Sequence, residues 1–231
     1  MISVLLVGNG NVANHLLKVF QTVKDLSVLQ INSRNLTNIP TAAITIIAVS
    51  DDAIAKVSSK ITNPFVVHTS GSVSLSALQN KTRKGVFYML QTFSKDKLVN
   101  FQEVPFCLEA TNENDLKTLE TLAKLLSEKV YFINSEQRKA LHVAAVFANN
   151  FANHCYQIAE EICKIHQVPF EILYPLIEET ARKIKLLSPK EAQTGPAIRN
   201  DQQTIQNHLV LLNLHQQEMY TIMTKSIQDG H

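Results

Sequence analysis

Apolar and polar positions change their spacing several times along the chain, and each change marks an element. In "SVLLVGNGNVANHLLKVF" the continuous apolar run at residues 4–7 predicts a strand buried on both faces. Beyond it Val12, Leu16, Phe20 and Val23 recur at helical intervals. Gly8 and Gly10 therefore fall at a strand-to-helix turn. The run "LSVLQINSR" predicts a second strand ending near Ser33 and Arg34, and "AAITIIAVS" a third, with Asp51 and Asp52 capping a helix in "AIAKVSSKI". "PFVVHTSGS" and "GVFYML" predict a fourth and a fifth strand. "VPFCLEA", the amphipathic helix "NDLKTLETLAKLLSEK" and "VYFI" follow. Strands alternating with helices imply a parallel α/β sheet covered on its faces. Residues 34–43 are too few for a full crossover helix and predict a loop or a single turn.

The texture changes at Asn134. "SEQRKALHVAAVFANNFANHCYQIAEEICKIHQ" predicts a long helix capped by Ser135. "PFEILYPLIEETARKIKLL" predicts a second, with Pro169 in its first turn, and "DQQTIQNHLVLLNLHQQEMYTIMTKSI" a third. The expected layout is an α/β domain over residues 1–134 and an all-α domain over residues 135–231.

Composition narrows the function classes. The chain has 231 residues, 45% hydrophobic and 18% charged, as in a globular protein with a substantial core. A net charge of +2, no Trp and scattered aromatics argue against nucleic acid and anionic membranes. Cys107, Cys155 and Cys163 are odd in number and form no C-x-x-C pair, as expected of reduced thiols in the cytoplasm. The eight His show no Cys/His ligand spacing, so no metal site is expected. The first strand begins too early for a signal peptide, and no apolar run reaches the roughly 18–20 residues of a membrane span.

Gly8-Asn9-Gly10-Asn11-Val12-Ala13 matches the dinucleotide fingerprint G-x-G-x-x-A. Glycines there let the backbone approach a pyrophosphate at the helix N-terminus, and Ala13 allows close helix–strand packing. NAD-binding folds end the second strand in an acid that takes the ribose hydroxyls. Here Asn32, Ser33 and Arg34 occupy that place. Arg34 suits a 2′-phosphate that an acid would repel, so the expected cofactor is NADP. Val49 and Ser50, small residues ending the third strand, leave room for the cofactor, although Ser50 also suits a helix cap.

His68, Thr69, Ser70, Gly71 and Ser72 lie at the carboxyl edge of the fourth strand, where open α/β sheets bind ligands. His68 and Ser70 are candidates there, and Gln91 and Thr92 hold the same position after the fifth strand. His142, Val146, Asn149 and Asn153 share one helical stripe among residues typical of a buried helix. Such polar groups need partners, in a core network or in a ligand. In "AQTGPAIRND", Thr194 and Arg199 lie in a turn before the last helix, and Arg199 suits a carboxylate or phosphate.

In order, GNGNVA, INSR, VVHTSGS, YMLQTFS, RKALHVAAVFANNFAN and AQTGPAIRND resemble a family of bacterial Rossmann-like proteins with a C-terminal helical domain of unknown function. These are described as NADP-dependent oxidoreductases and are distant relatives of pyrroline-5-carboxylate reductase and the β-hydroxyacid dehydrogenases. The resemblance implies a Rossmann domain, a helical dimerisation domain, a homodimer and an active site in the cleft between the domains. β-Hydroxyacid dehydrogenases carry a catalytic Lys followed by Asn, whereas this chain has His142 before Asn149 and Asn150. The expected activity is NADP(H)-dependent reduction of a small carbonyl or imine compound. His142 would be the general acid, Asn149 and Asn153 would orient substrate, and His68 would lie near the nicotinamide. Gln91, Thr92, Thr194 and Arg199 would contact substrate. A non-catalytic NADP-binding sensory protein needs only the glycine loop and Arg34.

Overall fold

The computed structural model describes residues 2–230. The chain divides into two compact units, Met1–Ala148 and Asn149–His231.

The first unit is built on seven strands, β1 (Ile2–Val7), β2 (Leu26–Ile31), β3 (Ile44–Ile47), β4 (Phe65–His68), β5 (Arg83–Met89), β6 (Phe106–Ala110) and β7 (Val130–Phe132). They form one sheet in the order β2-β1-β3-β4-β5-β6-β7. β1 lies between β2 and β3, and all pairs from β2 to β5 are parallel. β6 pairs with β5 antiparallel, Tyr88 opposite Cys107, and β7 runs parallel to β6. The expected parallel sheet is present, with one antiparallel pair, β5 with β6, added to it. Between β5 and β6 the chain makes only a loop with one 3₁₀ turn, and without a crossover helix the next strand returns antiparallel.

Successive β1 side chains enter opposite layers, as strand geometry requires. Val4 and Leu6 pack with Leu16 and Phe20 of α1 (Asn11–Phe20). Leu5 and Val7 pack with Ile54 and Val57 of the short α2 (Ile54–Ser58). α3 (Glu113–Lys124) adds Leu119 and Leu122 to the α1 layer. Residues 34–43 form no helix, as expected.

α4 (Ser135–Ala145) passes directly into a π-helical segment, Val146–Phe151, and then into α5 (Ala152–Ile165). Its cap is Asn134 rather than Ser135. The Asn134 side chain accepts from the Gln137 backbone, and Gln137 closes a capping box. Ser135 is already helical and uses its hydroxyl elsewhere. The division between units falls inside the π segment, fourteen residues beyond the change of texture at Asn134.

In the second unit, Pro169 precedes a 3₁₀ turn, and α6 (Tyr174–Lys183) starts with Pro175 in its first turn. α7 (Pro189–Ala192) is short. The expected last helix is two, α8 (Gln202–Val210) and α9 (Leu214–Asp229). Asn213 breaks them apart because its side chain caps α9 in a capping box with Gln216, which needs extended backbone at the cap. No helix among the described residues is long and apolar enough to cross a membrane.

Candidate functional site

The turn after β1 has two glycines with different duties. Gly8 has φ +136°, and a Cβ there would stand 2.1 Å from the Ala48 carbonyl oxygen. It is demanded by the close approach of β1 and β3. Gly10, in extended backbone at the cap of α1, has no atom beyond its chain neighbours within 4 Å of where its Cβ would be. That space is open to a ligand. The Gln30 amide fixes the loop from β2, donating to the Gly8 carbonyl at 2.8 Å and to Asn14 Oδ1 at 3.1 Å.

The space opens into a cleft of about 890 Å³ at the carboxyl ends of β1, β2 and β3. Gly8, Asn9, Gly10, Asn11, Val12, Ser33, Arg34, Val49 and Ser50, all expected to hold cofactor, line it. Ala13 is buried against the sheet, as its place in the fingerprint requires. Asn32 Oδ1 accepts from the Arg34 backbone at 2.9 Å, so a local turn presents Ser33 and Arg34. Asn11 donates its amide to the Phe93 carbonyl at 2.8 Å, and His15 Nε2 lies 2.9 Å from the Ser94 carbonyl. These bonds tie the segment after β5 to the first half of α1. Gln91 and Thr92, exposed in that segment, bond to each other.

Thr69 lines the same cleft. Beyond it Ser70 Oγ accepts from the backbone of Ser72 and Val73, and Ser72 Oγ donates to Asp51 at 2.5 Å. Asp51 and Asp52 belong to a 3₁₀ turn, Asp51–Ala53, that leads into α2, and the cap position is held by Ser50 without a side-chain bond. The Asp51 carboxylate serves the serine loop instead of capping a helix. Ser70 is therefore a loop organiser outside the cleft lining.

His68 is wholly buried. Its Nδ1 accepts from the Ser70 backbone at 3.2 Å, and Nε2 has no hydrogen-bond partner. Burial, helped by the Arg138 guanidinium, lowers its pKa to about 4 against weaker upward pulls from the Ser74 carbonyl and Asp51. His68 is neutral at physiological pH and cannot act as an acid there.

His142, on α4, belongs to the first unit. Its Nδ1 lies 3.2 Å from the Tyr88 hydroxyl, and the two rings meet edge-on at 6.1 Å. Both crowd Gly71: a Cβ there would lie 2.6 Å from His142 Nδ1 and 2.8 Å from Tyr88 Cζ. His142 thus stands over the loop two residues past Thr69. Burial and the neighbouring Cys107 push Tyr88 up to about 12, and burial pushes the Cys107 thiol up to about 11. The Tyr88 ring is buried, and its hydroxyl pairs with Nδ1, donating to the neutral imidazole or accepting from its protonated form. That bond commits Nδ1 and makes Nε2 the nitrogen free to carry a transferable proton.

The start of α4 is anchored by residues the sequence did not single out. Arg138, fully buried, pairs with Glu109 of β6 and donates to the Val73 carbonyl at 2.6 Å. Ser135 donates to Glu109 at 2.8 Å and accepts from the Leu75 backbone at 3.0 Å. An Arg on the inner face of an amphipathic helix, facing a Glu in an apolar strand, is the only signal available, and it needs the register of both elements.

The four remaining expected site residues fall in the second unit, where Asn149, Asn153, Thr194 and Arg199 are all exposed. The buried setting expected around residues 142–153 is absent, with Phe147 66% exposed. The π segment also undoes the shared stripe. Its winding takes more residues per turn than an α-helix, so a spacing of seven or eleven residues across it no longer returns to one face.

Among solved structures, "putative NADP oxidoreductase BF3122" from Bacteroides fragilis is 36% identical to the chain, covers 99% of it over 98% of its own length, and superposes with a TM-score of 0.87. An imine reductase from Myxococcus stipitatus in complex with NADP+ is 13% identical, covering 98% of this chain and 92% of its own, with a TM-score of 0.64. A 1-pyrroline-5-carboxylate reductase from Streptococcus pyogenes is 12% identical, covering 99% and 97%, with a TM-score of 0.62. These last two share the fold. No curated protein matches the chain. The family model of a domain of unknown function, DUF2520, matches residues 104–227, more than half of the sequence, and the chain belongs to that family.

Proposed function

We propose that the protein is an NADP(H)-dependent oxidoreductase that reduces a small carbonyl or imine compound. The observation that carries the reading is the cleft at the strand ends, with open space at Gly10 and Arg34 in place of an acid. The 36% identical Bacteroides fragilis protein, named for NADP oxidoreductase activity, supports the cofactor. The imine and pyrroline-carboxylate reductases among the structural neighbours support the substrate class.

The amides of the first turn of α1 would hold the pyrophosphate, and Arg34 the 2′-phosphate. When bound, the dinucleotide supplies a hydride. A hydride taken up at the substrate carbon would leave the electron pair of the C=O or C=N bond on oxygen or nitrogen. That atom would take a proton from Nε2 of His142 in its imidazolium form, with Nδ1–H held by the Tyr88 oxygen, and the neutral imidazole would remain. His68 stays neutral and shapes the loop that carries Thr69 and Ser70. Asn149, Asn153, Gln91, Thr92, Thr194 and Arg199 remain candidates for orienting substrate.

The reading includes a homodimer formed through the helical unit. Leu186, Val210 and Leu214 of that unit are 86%, 84% and 80% exposed. A second copy of this chain would cover them.

The test is a titration with NADPH, followed by NADPH oxidation against small cyclic imines and 2-keto acids. Saturable binding with turnover of one class is expected. Failure to bind NADPH would overturn the reading, and binding without turnover across the panel would favour a sensor of the cofactor.

A further inference from the structure

The cleft holds two cations besides Arg34. Lys56 and Lys60 both line it, and so do Ala53 and Val57. The 3₁₀ turn before α2, α2 itself and the turn after it thus all contribute to one wall of the cleft. The wall has two characters. Ala53 and Val57, with Leu36, are apolar, while Lys56 and Lys60 add two like charges. No acidic residue lines the cleft. Among the described residues, none of the ion pairs engages Arg34, Lys56 or Lys60.

Like charges lining one cleft repel each other, and a third cation at the same cleft adds to the positive potential. A dianionic group seated among them would turn that repulsion into charge-assisted hydrogen bonds. The apolar stretch beside them suits the flat face of a purine.

We propose that Lys56 and Lys60 complete, with Arg34, a subsite for the 2′-phosphate of an adenosine nucleotide, and that they set the preference for NADPH over NADH. The proposal rests on the NADP reading above. α2 and the turn after it thereby supply part of a recognition that the second strand alone supplies in the sequence pattern.

The experiment measures dissociation constants for NADPH, NADH, 2′,5′-ADP and 5′-AMP on the wild type, Lys56→Gln, Lys60→Gln, the double variant, and Lys117→Gln, an exposed lysine of α3 outside the cleft. A lost charge-assisted contact is worth about tenfold in affinity. The double variant should therefore lose roughly 10- to 100-fold for NADPH and 2′,5′-ADP, and change NADH and 5′-AMP by less than about threefold. Lys117→Gln should match the wild type. A wild type that binds NADPH and NADH equally would retire the NADP reading itself. A wild-type preference that survives in the double variant would overturn the subsite alone, as would an equal loss in Lys117→Gln.

Discussion

The Tyr88 hydroxyl sits 3.2 Å from His142 Nδ1, and both rings lie against Gly71 with no room for a methyl group. A strand, a helix and the loop after β4 thus converge on one imidazole. Replacing His142 by Ala removes the hydrogen-bond partner of a buried phenol, so it should cost about 1–3 kcal/mol of stability. If His142 delivers the proton, turnover should also fall by roughly 10²–10⁴, with NADPH affinity unchanged. Tyr88→Phe keeps the ring packing and should lower turnover less, with a smaller stability loss. Melting curves, cofactor titrations and rates on both variants check this. Full turnover in His142→Ala would remove it from the chemistry.

Glu109 and Arg138 make a testable pair. Glu109→Ala leaves the guanidinium of a fully buried Arg138 without its carboxylate, a change that typically costs about 3–5 kcal/mol. Denaturant unfolding should show a drop of that size. A loss below about 1 kcal/mol would mean that water reaches the guanidinium.

His68 predicts acid sensitivity with a definite sign. Its folded pKa, about 4, lies below the ordinary value of 6.5, so the unfolded chain binds more protons between these values. Stability from this residue is fully present above pH 6.5 and is lost as pH falls toward 4. The full loss is about 3 kcal/mol. His68→Asn should unfold with a flatter pH dependence between pH 6.5 and 4, whatever its stability at neutral pH. An unchanged slope would contradict the buried neutral ring.

The two glycines of the first turn should separate fold from ligand. Gly8→Ala must move the Ala48 carbonyl and strain a left-handed φ, so melting temperature should fall by several degrees. A Cβ at Gly10 meets nothing beyond its chain neighbours, so Gly10→Val should lower melting only by the weaker N-cap of α1 while abolishing NADPH binding. A Gly10→Val protein that binds NADPH normally would assign the space to solvent.

Much of the first unit could be read from residue order because strand burial and turn chemistry are local. The run at residues 4–7, Gly8, Gly10 and Arg34 all signal through neighbours in sequence, and nine of the eleven residues expected to hold cofactor line the cleft. The direction of β6 was not legible, since it depends on whether a loop or a helix fills the connection. Lys56 and Lys60 escaped because the face that α2 presents is decided by Ile54 and Val57 packing on the sheet. The partnership of Tyr88 with His142 joins residues 54 apart, which no periodicity reveals. The stripe from His142 to Asn153 failed for a different reason, because it assumed α-winding across a π segment.

The ion pair at the start of α4 has an evolutionary consequence. Arg138 stands one helical turn before His142 and fixes the helix that presents it, yet belongs to no surface a substrate touches. Loss of either partner strands the other, while replacement of both by well-packed apolar side chains can be neutral or stabilising. Positions 109 and 138 should therefore drift through related chains as a linked pair, charged together or apolar together. A lineage that changes one without the other would have to re-seat the imidazole from a different anchor.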